Sequence, residues 1–442
     1  MDENNKIRVL WLCYFSNSEI REKLRTKTSF LEVIARKILG MEKNKTADFA
    51  QWITNGIKEF EKFTNVELHV VSPQYGLSVK KTSFQHNGIH YYFYKPDDSF
   101  VIKFFRKLFN NYESDYNGNR KLTKEFINQI QPDIIHMYGA ENYYYSITGI
   151  DIDTDKYPFM VSLQTLTTDP DFKSKDVITP RLYEFRSKIE CAVLSNVKYI
   201  GSKVPKYREI VWQTINRNAF FLNTTLAVAE NIPDSKERKK FDFVYFSASI
   251  HKAADFAIEA FAIACEKYPD LTLNIIGGTP EPFTQNLKTR INELSIERNV
   301  FFSGKLPTHD DVLKQIQLAK YALLPLKIDF ISGTIREAMF AGLPVVTTVT
   351  DGTPTLNEKR KSVLLSEQGD FKAMAENIIR LVESPALAKE LAENGLLTVQ
   401  ERWNNEKDML ELVEAYKAIL NHHHKGIPIP DEIGTQKPTK NA

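Results

Sequence analysis

The sequence predicts an α/β protein of two domains, each a parallel β-sheet wrapped by helices. Two observations support this prediction. The chain has 442 residues, which is too long for one ordinary hydrophobic core. Short apolar runs rich in β-branched and aromatic residues also alternate with longer segments of helical period, as they do where helices join parallel strands.

Apolar runs in both halves of the chain are predicted to be strands. In the first half these are residues 8–13, 66–72, 89–94, 133–138, 159–163 and 198–201. In the second half they are residues 242–247, 271–276, 300–303, 321–324, 344–348 and 362–365. Helices are expected between them, such as 253–266, where Ala254, Ile258, Phe261 and Cys265 share one face.

A charged stretch with a proline separates the two predicted domains. The expected organisation is an N-terminal domain 1–226, a linker 227–240, a C-terminal domain 241–401, a helix within 402–420 and a flexible tail 421–442. The tail is polar and contains prolines, so its three consecutive histidines are expected to be solvated rather than metal-bound.

Composition limits the class of protein. The net charge of +2 gives no argument for nucleic-acid binding. No stretch approaches the roughly 18–20 apolar residues of a spanning helix, and the N-terminus lacks the pattern of a signal peptide. Cys13, Cys191 and Cys265 lie among apolar neighbours, which indicates buried thiols in a reducing compartment and predicts a cytoplasmic protein.

The most informative stretch is 324–350, which reads as a strand, a turn of small residues, a helix and another strand. Ser332, Gly333 and Thr334 fall at the helix start, where free N–H groups and the helix dipole favour a diphosphate. Glu337 follows one turn later and could accept hydrogen bonds from two ribose hydroxyls. The alternative is structural, with Ser332 as the N-cap and Glu337 as a favourable first-turn charge.

This stretch resembles the donor-site signature of family 4 glycosyltransferases, which is an acid, a glycine-rich turn and E-A-M-A-x-G-x-P-V-V. Residues 337–346 read EAMFAGLPVV, and Asp329 occupies the position of the family's first acid, usually Glu. Residues 331–334 replace the glycines of the turn. The resemblance implies a GT-B architecture, with two Rossmann-like domains facing a cleft. It also implies a retaining hexosyltransferase of the bacterial surface-polysaccharide type, with a UDP- or GDP-sugar as donor.

The resemblance covers the whole second half and assigns further donor-site residues. Lys252 matches a phosphate-binding lysine, whereas Ser247 stands where the family has an arginine. A cation at a helix start is disfavoured by the dipole, which favours a functional role for Lys252. By analogy Gly304, Lys305 and Leu306 would edge the nucleobase, and the last helix would cross back to the first domain. Lys252, Asp329 and Glu337 are thus the predicted catalytic-centre residues.

The first half resembles the family more faintly. His136 is predicted at the end of a strand near the expected cleft. It either contacts the ligand on the sugar side or is a semi-buried side chain whose hydrogen bonds are made within the protein. Gln164 stands where many members place a histidine by the transferred sugar. Glutamine can hydrogen-bond a sugar hydroxyl but cannot accept a proton, so no general base is assigned there.

No metal site and no cofactor are predicted. Metal-dependent glycosyltransferases of the other common fold use a D-x-D motif, and this chain has two such stretches, 151–153 and 169–171. Both lie in turn-like loops of the first half of the chain, which the resemblance assigns to the acceptor, so they are interpreted as solvated loop acids. Nothing else shows metal-ligand spacing.

A basic and aromatic stretch, residues 100–109, suggests peripheral contact with an anionic membrane, together with the basic residues of 20–45. The alternative is a core-facing helix whose cations extend to solvent. The expected partners are therefore a nucleotide-sugar, a saccharide or lipid-linked acceptor and, through peripheral contact, the inner membrane face.

The resemblance implies retention of anomeric configuration by a front-face route, with Lys252 and the helix-end amides stabilising the departing phosphate. Two alternatives stay open. One is a nucleotide-sugar 2-epimerase on the same fold, which would need acid/base carboxylates in the first domain that the sequence does not reveal. The other is a non-catalytic binding protein, suggested by Ser247 and Gln164.

Overall fold

A computed structural model describes residues 6–26, 47–97, 114–174, 179–235, 237–246, 252–277, 281–328 and 330–437, and a few positions between 102 and 111. By its contacts the chain divides into two compact units. Unit 1 comprises Met1–Asn44, Trp52–Ala227 and Asn405–Ala442, and unit 2 comprises Lys45–Gln51 and Val228–Asn404. After the short segment Lys45–Gln51, which belongs to unit 2, the chain returns to unit 1, enters unit 2 again at Val228 and is back in unit 1 from Asn405.

Strands alternate with helices along both units. The described strands are β1 Ile7–Leu12, β2 Val66–Pro73, β3 Lys81–His86, β4 Ile89–Tyr94, β5 Ile134–Tyr138, β6 Phe159–Ser162, β7 Tyr199–Gly201, β8 Phe220–Leu222, β9 Phe241–Phe246, β10 Leu273–Ile276, β11 Val300–Gly304, β12 Ala319–Leu323, β13 Val345–Thr348, β14 Val363–Ser366 and β15 Gly434–Gln436. Each predicted strand is present, with its ends shifted by one or two residues at most.

Helices connect most of these strands. The described α-helices are α1 Ser18–Lys23, α2 Gln51–Phe60, α3 Asn117–Ile130, α4 Tyr143–Ser146, α5 Pro170–Ser174, α6 Pro180–Asn196, α7 Pro205–Thr214, α8 Ala254–Lys267, α9 Glu281–Glu293, α10 His309–Ile316, α11 Gly333–Phe340, α12 Phe371–Glu383, α13 Pro385–Arg402 and α14 Asn405–Lys425. Short 3-10 helices lie at Ile147–Asp151 and Thr353–Asn357.

The sheet of unit 1 has the order β15-β8-β7-β6-β5-β1-β2-β4-β3. Its central strands are parallel, and only the outer pairs β3–β4 and β15–β8 are antiparallel. Central strands such as β1 and β5 are almost entirely buried, because helices cover both faces of a parallel sheet.

The prediction of a flexible tail after residue 420 is wrong for most of that segment. Helix α14 continues to Lys425, and β15 pairs antiparallel with β8. His422 is held by the sheet, since its Nδ1 lies 2.8 Å from the Tyr199 hydroxyl. Gly434 permits the close pairing, because a Cβ there would lie 2.7 Å from the Leu222 side chain. An exposed edge strand can therefore order even a polar, proline-containing segment.

A buried polar network joins α14 to the sheet of unit 1. Tyr416 is fully buried, and its hydroxyl accepts a hydrogen bond from Trp11 Nε1 at 2.9 Å. The same hydroxyl lies 2.6 Å from His136 Nδ1, and His136 Nε2 lies 2.8 Å from Ser162 Oγ. Burial lowers the pKa of His136 to about 3, so the ring is neutral. A proton on Nε2 satisfies every member of this network.

Replacing Tyr416 with phenylalanine is expected to lower the free energy of unfolding of unit 1 by about 2–4 kcal/mol, because Trp11 Nε1 and His136 Nδ1 would lose their buried partner. A urea denaturation curve, monitored by near-UV circular dichroism, measures this change in the free energy of unfolding. Tyr268→Phe, which removes a hydroxyl that contacts Glu383 at the surface, is the matched control and should unfold like the wild type. Equal stability of the two variants would contradict the prediction.

The sheet of unit 2 has the order β11-β10-β9-β12-β13-β14, and all its strands are parallel. In order of appearance this is 3-2-1-4-5-6, the strand order of a dinucleotide-binding Rossmann fold. The predicted helix face of α8 is buried against it, with Ala254, Ile258 and Phe261 at 0% exposure and Cys265 at 8%.

Candidate donor site in unit 2

The strand order of unit 2 indicates which edge of its sheet is the candidate binding site. Strands β9 and β12 are parallel neighbours, and the chain leaves them in opposite directions, towards β10 and β13. In open α/β sheets ligands bind at such a reversal, outside the carboxyl ends of the strands. The predicted site residues Lys252 and Ser332–Thr334 follow β9 and β12 respectively, so the topology brings them to one crevice.

Lys252 lies at the turn that connects β9 to α8. Its carbonyl accepts a hydrogen bond from the Tyr245 hydroxyl, and its side chain is half-buried. Ala253, the N-cap of α8, adopts a left-handed conformation with φ of 50°. Such a conformation is uncommon for alanine, and unusual backbone geometry of this kind often occurs at binding loops. Ser247 and His251, on the same turn, lie outside the described residues.

Lys327 is a second cationic residue at this edge, and no motif in the sequence indicates it. It follows β12, and its Nζ lies 2.6 Å from Asp255 Oδ2 in the first turn of α8. The ammonium group also lies 4.7 Å from the centre of the Phe256 ring. The ion pair joins the segment after β12 to the helix after β9. A second ammonium group therefore lies at this edge, in an ion pair with Asp255 that offsets its charge.

The start of α11 shows the capping role that the sequence left open for Ser332, and a diphosphate at this helix start stays a prediction. Ser332 is fully buried and is the N-cap, because its Oγ accepts from the Thr334 N–H at 3.4 Å. Gly333 is half-buried, and a Cβ built on it would meet only the far end of Arg336, at 3.8 Å. The backbone can therefore be approached closely at Gly333. Asp329 lies outside the described residues.

Glu337 forms an ion pair that the sequence did not predict. Its Oε1 lies 3.2 Å from Nε2 of His309, the first residue of α10, and both side chains are largely buried, at 13% and 17% exposure. Burial by itself lowers the pKa of His309. The charge of Glu337 and the nearby acids Asp310 and Asp48 outweigh burial and raise that pKa above its usual value. The pair therefore fixes the Glu337 carboxylate at the edge of the candidate site.

The loop between β11 and α10 contains the residues predicted to edge the nucleobase. Gly304 has a positive φ of 66°, and its carbonyl accepts from the Gly277 N–H at 2.9 Å. Lys305 is exposed and Leu306 is half-buried. Asp48 braces the loop, since its Oδ2 accepts from the backbone N–H of His309 at 3.1 Å. This support comes from a segment distant in sequence, so periodicity could not reveal it.

The two predicted residues of unit 1 differ in accessibility. His136 is fully buried, and both of its ring nitrogens have partners in the network around Tyr416. This arrangement favours the structural alternative over a ligand role for His136. Gln164 is half-buried in the loop after β6, where a contact with a ligand stays a prediction.

A buried carboxyl group in unit 1 was also missed. Glu141 follows β5 and is 5% exposed, and Gly139 makes room for its carboxyl group, because a Cβ on Gly139 would lie 2.5 Å from Glu141 Oε2. Burial raises the pKa of Glu141 to about 7, against the opposing charge of Arg186. A single glutamate in a polar loop carries no sequence pattern that would indicate its burial.

The acids of the two D-x-D stretches are held by neighbouring residues. Asp151 is in an ion pair with Arg120, and Asp153 Oδ1 accepts from the backbone of Asp155 at 3.2 Å. Lys206 Nζ lies 3.0 Å from Asp169 Oδ2 and 2.5 Å from Asp171 Oδ2. Asp151, Asp153 and Asp171 are exposed, as the interpretation as solvated loop acids expects, whereas Asp169 is buried at 8% exposure beside Lys206.

Residues 228–398 match the family model described as "Glycosyl transferases group 1". An uncharacterized glycosyltransferase of Haemophilus influenzae is 28% identical over 171 residues, 38% of this chain and 46% of the relative. A putative colanic acid biosynthesis glycosyltransferase of Salmonella typhimurium is 30% identical over 127 residues, 27% of this chain and 30% of the relative. The chain thus matches less than half of these relatives' length.

Solved structures match nearly the whole chain. Sucrose-phosphate synthase from Thermosynechococcus elongatus superposes with a TM-score of 0.67 at 14% identity, covering 93% of this chain and 98% of that one. Anabaena HepE in complex with UDP and glucose gives 0.64 at 14% identity, covering 93% and 100%. At this identity the matches concern the fold, and they confirm the prediction of an α/β protein of the GT-B class.

Proposed function

We propose that this chain, whose residues 228–398 match the glycosyl transferases group 1 family model, is an enzyme that transfers a sugar from a nucleotide-sugar to a saccharide or lipid-linked saccharide. The observation that carries the proposal is the edge of unit 2 at the β9–β12 reversal. Lys252 follows β9, and Gly333 and Glu337 lie in the helix that follows β12, so the topology brings their segments to the edge where a Rossmann sheet binds its ligand.

Each group at this edge suits one part of the donor. The ammonium groups of Lys252 and Lys327 and the first turn of α11 provide positive potential for a diphosphate. The Glu337 carboxylate, fixed by His309, would accept hydrogen bonds from the ribose diol. The loop at Gly304, which takes a positive φ, would edge the base. UDP- and GDP-sugars both fit this set.

The reaction we propose is a front-face displacement with retention of configuration. The bond between the anomeric carbon and the phosphate oxygen breaks, and the acceptor oxygen bonds to the same face of that carbon. The acceptor's proton passes to the departing phosphate oxygen, so this route uses no protein base. Lys252 and the amides of α11 stabilise the negative charge that grows on the diphosphate. Asp329 would position the transferred sugar.

We expect donor turnover to survive exhaustive chelation, because cationic side chains and helix amides supply the charge that a divalent ion would otherwise supply. Release of the nucleoside diphosphate from UDP- and GDP-sugars, with and without EDTA, measures this. Equal rates at 20 °C are the expected result. Loss of turnover with EDTA and its recovery with Mn²⁺ or Mg²⁺ would contradict the metal-independent mechanism.

Glu141 keeps a nucleotide-sugar 2-epimerase as a second candidate, because its buried carboxyl group in unit 1 has a pKa of about 7, close to that of an acid/base catalyst at neutral pH. Glu190, another buried acid of unit 1, accepts hydrogen bonds from the Thr167 and Thr168 amides and is thereby engaged. Chromatography of the reaction products separates the two functions. A transferase releases a nucleoside diphosphate, whereas an epimerase yields an isomeric nucleotide-sugar.

A membrane-bound acceptor at the inner leaflet, as in surface-polysaccharide synthesis, is the acceptor we propose. No helix within the described ranges has the length and apolar character needed to cross a bilayer. Leu108 and Phe109 are 61% and 67% exposed, whereas Arg106 packs its guanidinium 5.0 Å from the Tyr116 ring. Lys103 and Lys107 lie outside the described residues. The exposed apolar pair would insert at the interface beside basic neighbours.

Flotation with anionic liposomes tests this attachment. We expect binding at low salt that weakens at high salt and falls several-fold when Leu108 and Phe109 are both replaced by Asp. Leu410→Asp, at an exposed position of α14, is the matched control and should bind like the wild type. A wild-type protein that stays unbound at low salt would make a soluble acceptor the better proposal.

A further inference from the structure

A histidine–histidine–glutamate cluster lies on the sheet of unit 1, at the amino ends of its strands and so away from the carboxyl edge. Glu67 and His69 are two residues apart on β2, so their side chains share one face. His90 on β4 is the cross-strand partner of His69. One donor atom from each of the three residues lies within 4.8 Å of the others.

The distances in this cluster are close to those of a metal site. Glu67 Oε1 lies 3.0 Å from His69 Nε2 and 3.7 Å from His90 Nε2. Tetrahedral zinc with bonds of about 2.0–2.1 Å places its ligand atoms roughly 3.3–3.5 Å apart. The two imidazole rings are nearly parallel, with centroids 4.6 Å apart. A small rotation of His90 would therefore turn its Nε2 towards an ion held by the other two residues.

Neighbouring side chains orient the cluster as they do around bound metals. The Tyr92 hydroxyl lies 3.2 Å from His69 Nδ1, the ring nitrogen that points away from Glu67. Arg8 Nε donates to Glu67 Oε2 at 3.3 Å, which leaves Oε1 facing the histidines. Hydrogen bonds to the non-ligating atoms of His and carboxylate ligands fix their orientation in metal sites. The side chains of Glu67 and His90 are each 31% exposed, so an ion and a water could enter from solvent.

We propose that Glu67, His69 and His90 bind a zinc ion, with water as the fourth ligand. Two imidazoles and one carboxylate are a donor set that zinc commonly takes, whereas all-oxygen sites select harder cations such as Mg²⁺ and Ca²⁺. The ion would tie β2 to β4 and stabilise this side of the sheet. It lies at the opposite end of the strands from the carboxyl edge, so its role is stability rather than sugar transfer.

Calorimetric titration of the metal-stripped protein with ZnCl₂ tests the proposal. His423 and His424 are neighbouring histidines near the end of α14, with ring centroids 4.8 Å apart, and would also take up zinc. The reference protein therefore carries His423→Asn and His424→Asn. We expect it to bind one zinc ion per chain and to melt at a higher temperature with zinc than without.

Adding His90→Gln or Glu67→Gln to this reference should weaken zinc binding at least tenfold and abolish the zinc-dependent rise in melting temperature. His86→Gln is the matched control, since that ring lies 2.5 Å from Glu19 on another surface and should not matter to zinc. Circular dichroism confirms that each variant is folded. A reference protein that takes up no zinc, or a His90→Gln variant with unchanged affinity, would overturn the proposal.

Discussion

Replacing Lys252 with methionine is expected to lower the turnover number about 100-fold or more. The substitution keeps the length of the side chain but removes a cation from the turn after β9, where the leaving diphosphate would gain charge. Removing one preorganised group that stabilises such charge typically costs about 100- to 1,000-fold in turnover. Lys327 would remain, so some stabilisation of the diphosphate should persist.

Steady-state release of the nucleoside diphosphate measures this effect, once a donor is identified. Lys389→Met is the matched control, because Lys389 is 77% exposed on α13 in a surface pair with Glu393. The control should keep the wild-type rate. A folded Lys252→Met protein that also keeps the wild-type rate would show that this lysine does not stabilise the leaving group.

Replacing Glu337 with alanine is expected to weaken nucleotide-sugar binding about tenfold or more, the value of one or two hydrogen bonds to a charged group. His309→Asn should weaken binding by a smaller factor, because Glu337 would remain but lose the ion-pair partner 3.2 Å away that orients it. Isothermal titration with the donor gives both values.

Glu376→Ala, at an exposed position of α12, is the control for loss of a surface carboxylate and should bind normally. If folded Glu337→Ala protein binds the donor with wild-type affinity, the ribose assignment is wrong. If only His309→Asn is unchanged, Glu337 acts without the help of its partner, and the donor site itself stands.

Much of the fold was predictable because its strands are buried on both faces. Strands such as β5 and β13 are buried at every residue and are rich in apolar and β-branched residues between helical segments, which is a strong local signal. The missed strands lie at or near sheet edges. β3 alternates exposed and half-buried residues, and β8 and β15 are three residues long. Their pairing depends on tertiary contacts rather than on local pattern.

The candidate site also combines residues that the sequence indicates with residues that only the fold brings together. Lys252 and Glu337 stand in motifs that can be read along the chain, and the strand order brings them to one edge. The partner of Glu337 was not predictable, since His309 is an ordinary helix-start residue until the fold places it 3.2 Å away. The zinc-site candidates Glu67 and His90 likewise come from different strands, and spacing along the chain does not reveal a cluster of this kind.

Isothermal titration of the wild-type protein with UDP, GDP and ADP measures whether the edge of unit 2 binds a nucleoside diphosphate. We expect at least one of the three to bind with one site per chain, and Glu337→Ala to weaken this binding about tenfold or more. The assay needs no knowledge of the sugar or the acceptor. If none of the three binds detectably to folded wild-type protein, unit 2 does not hold the proposed donor site.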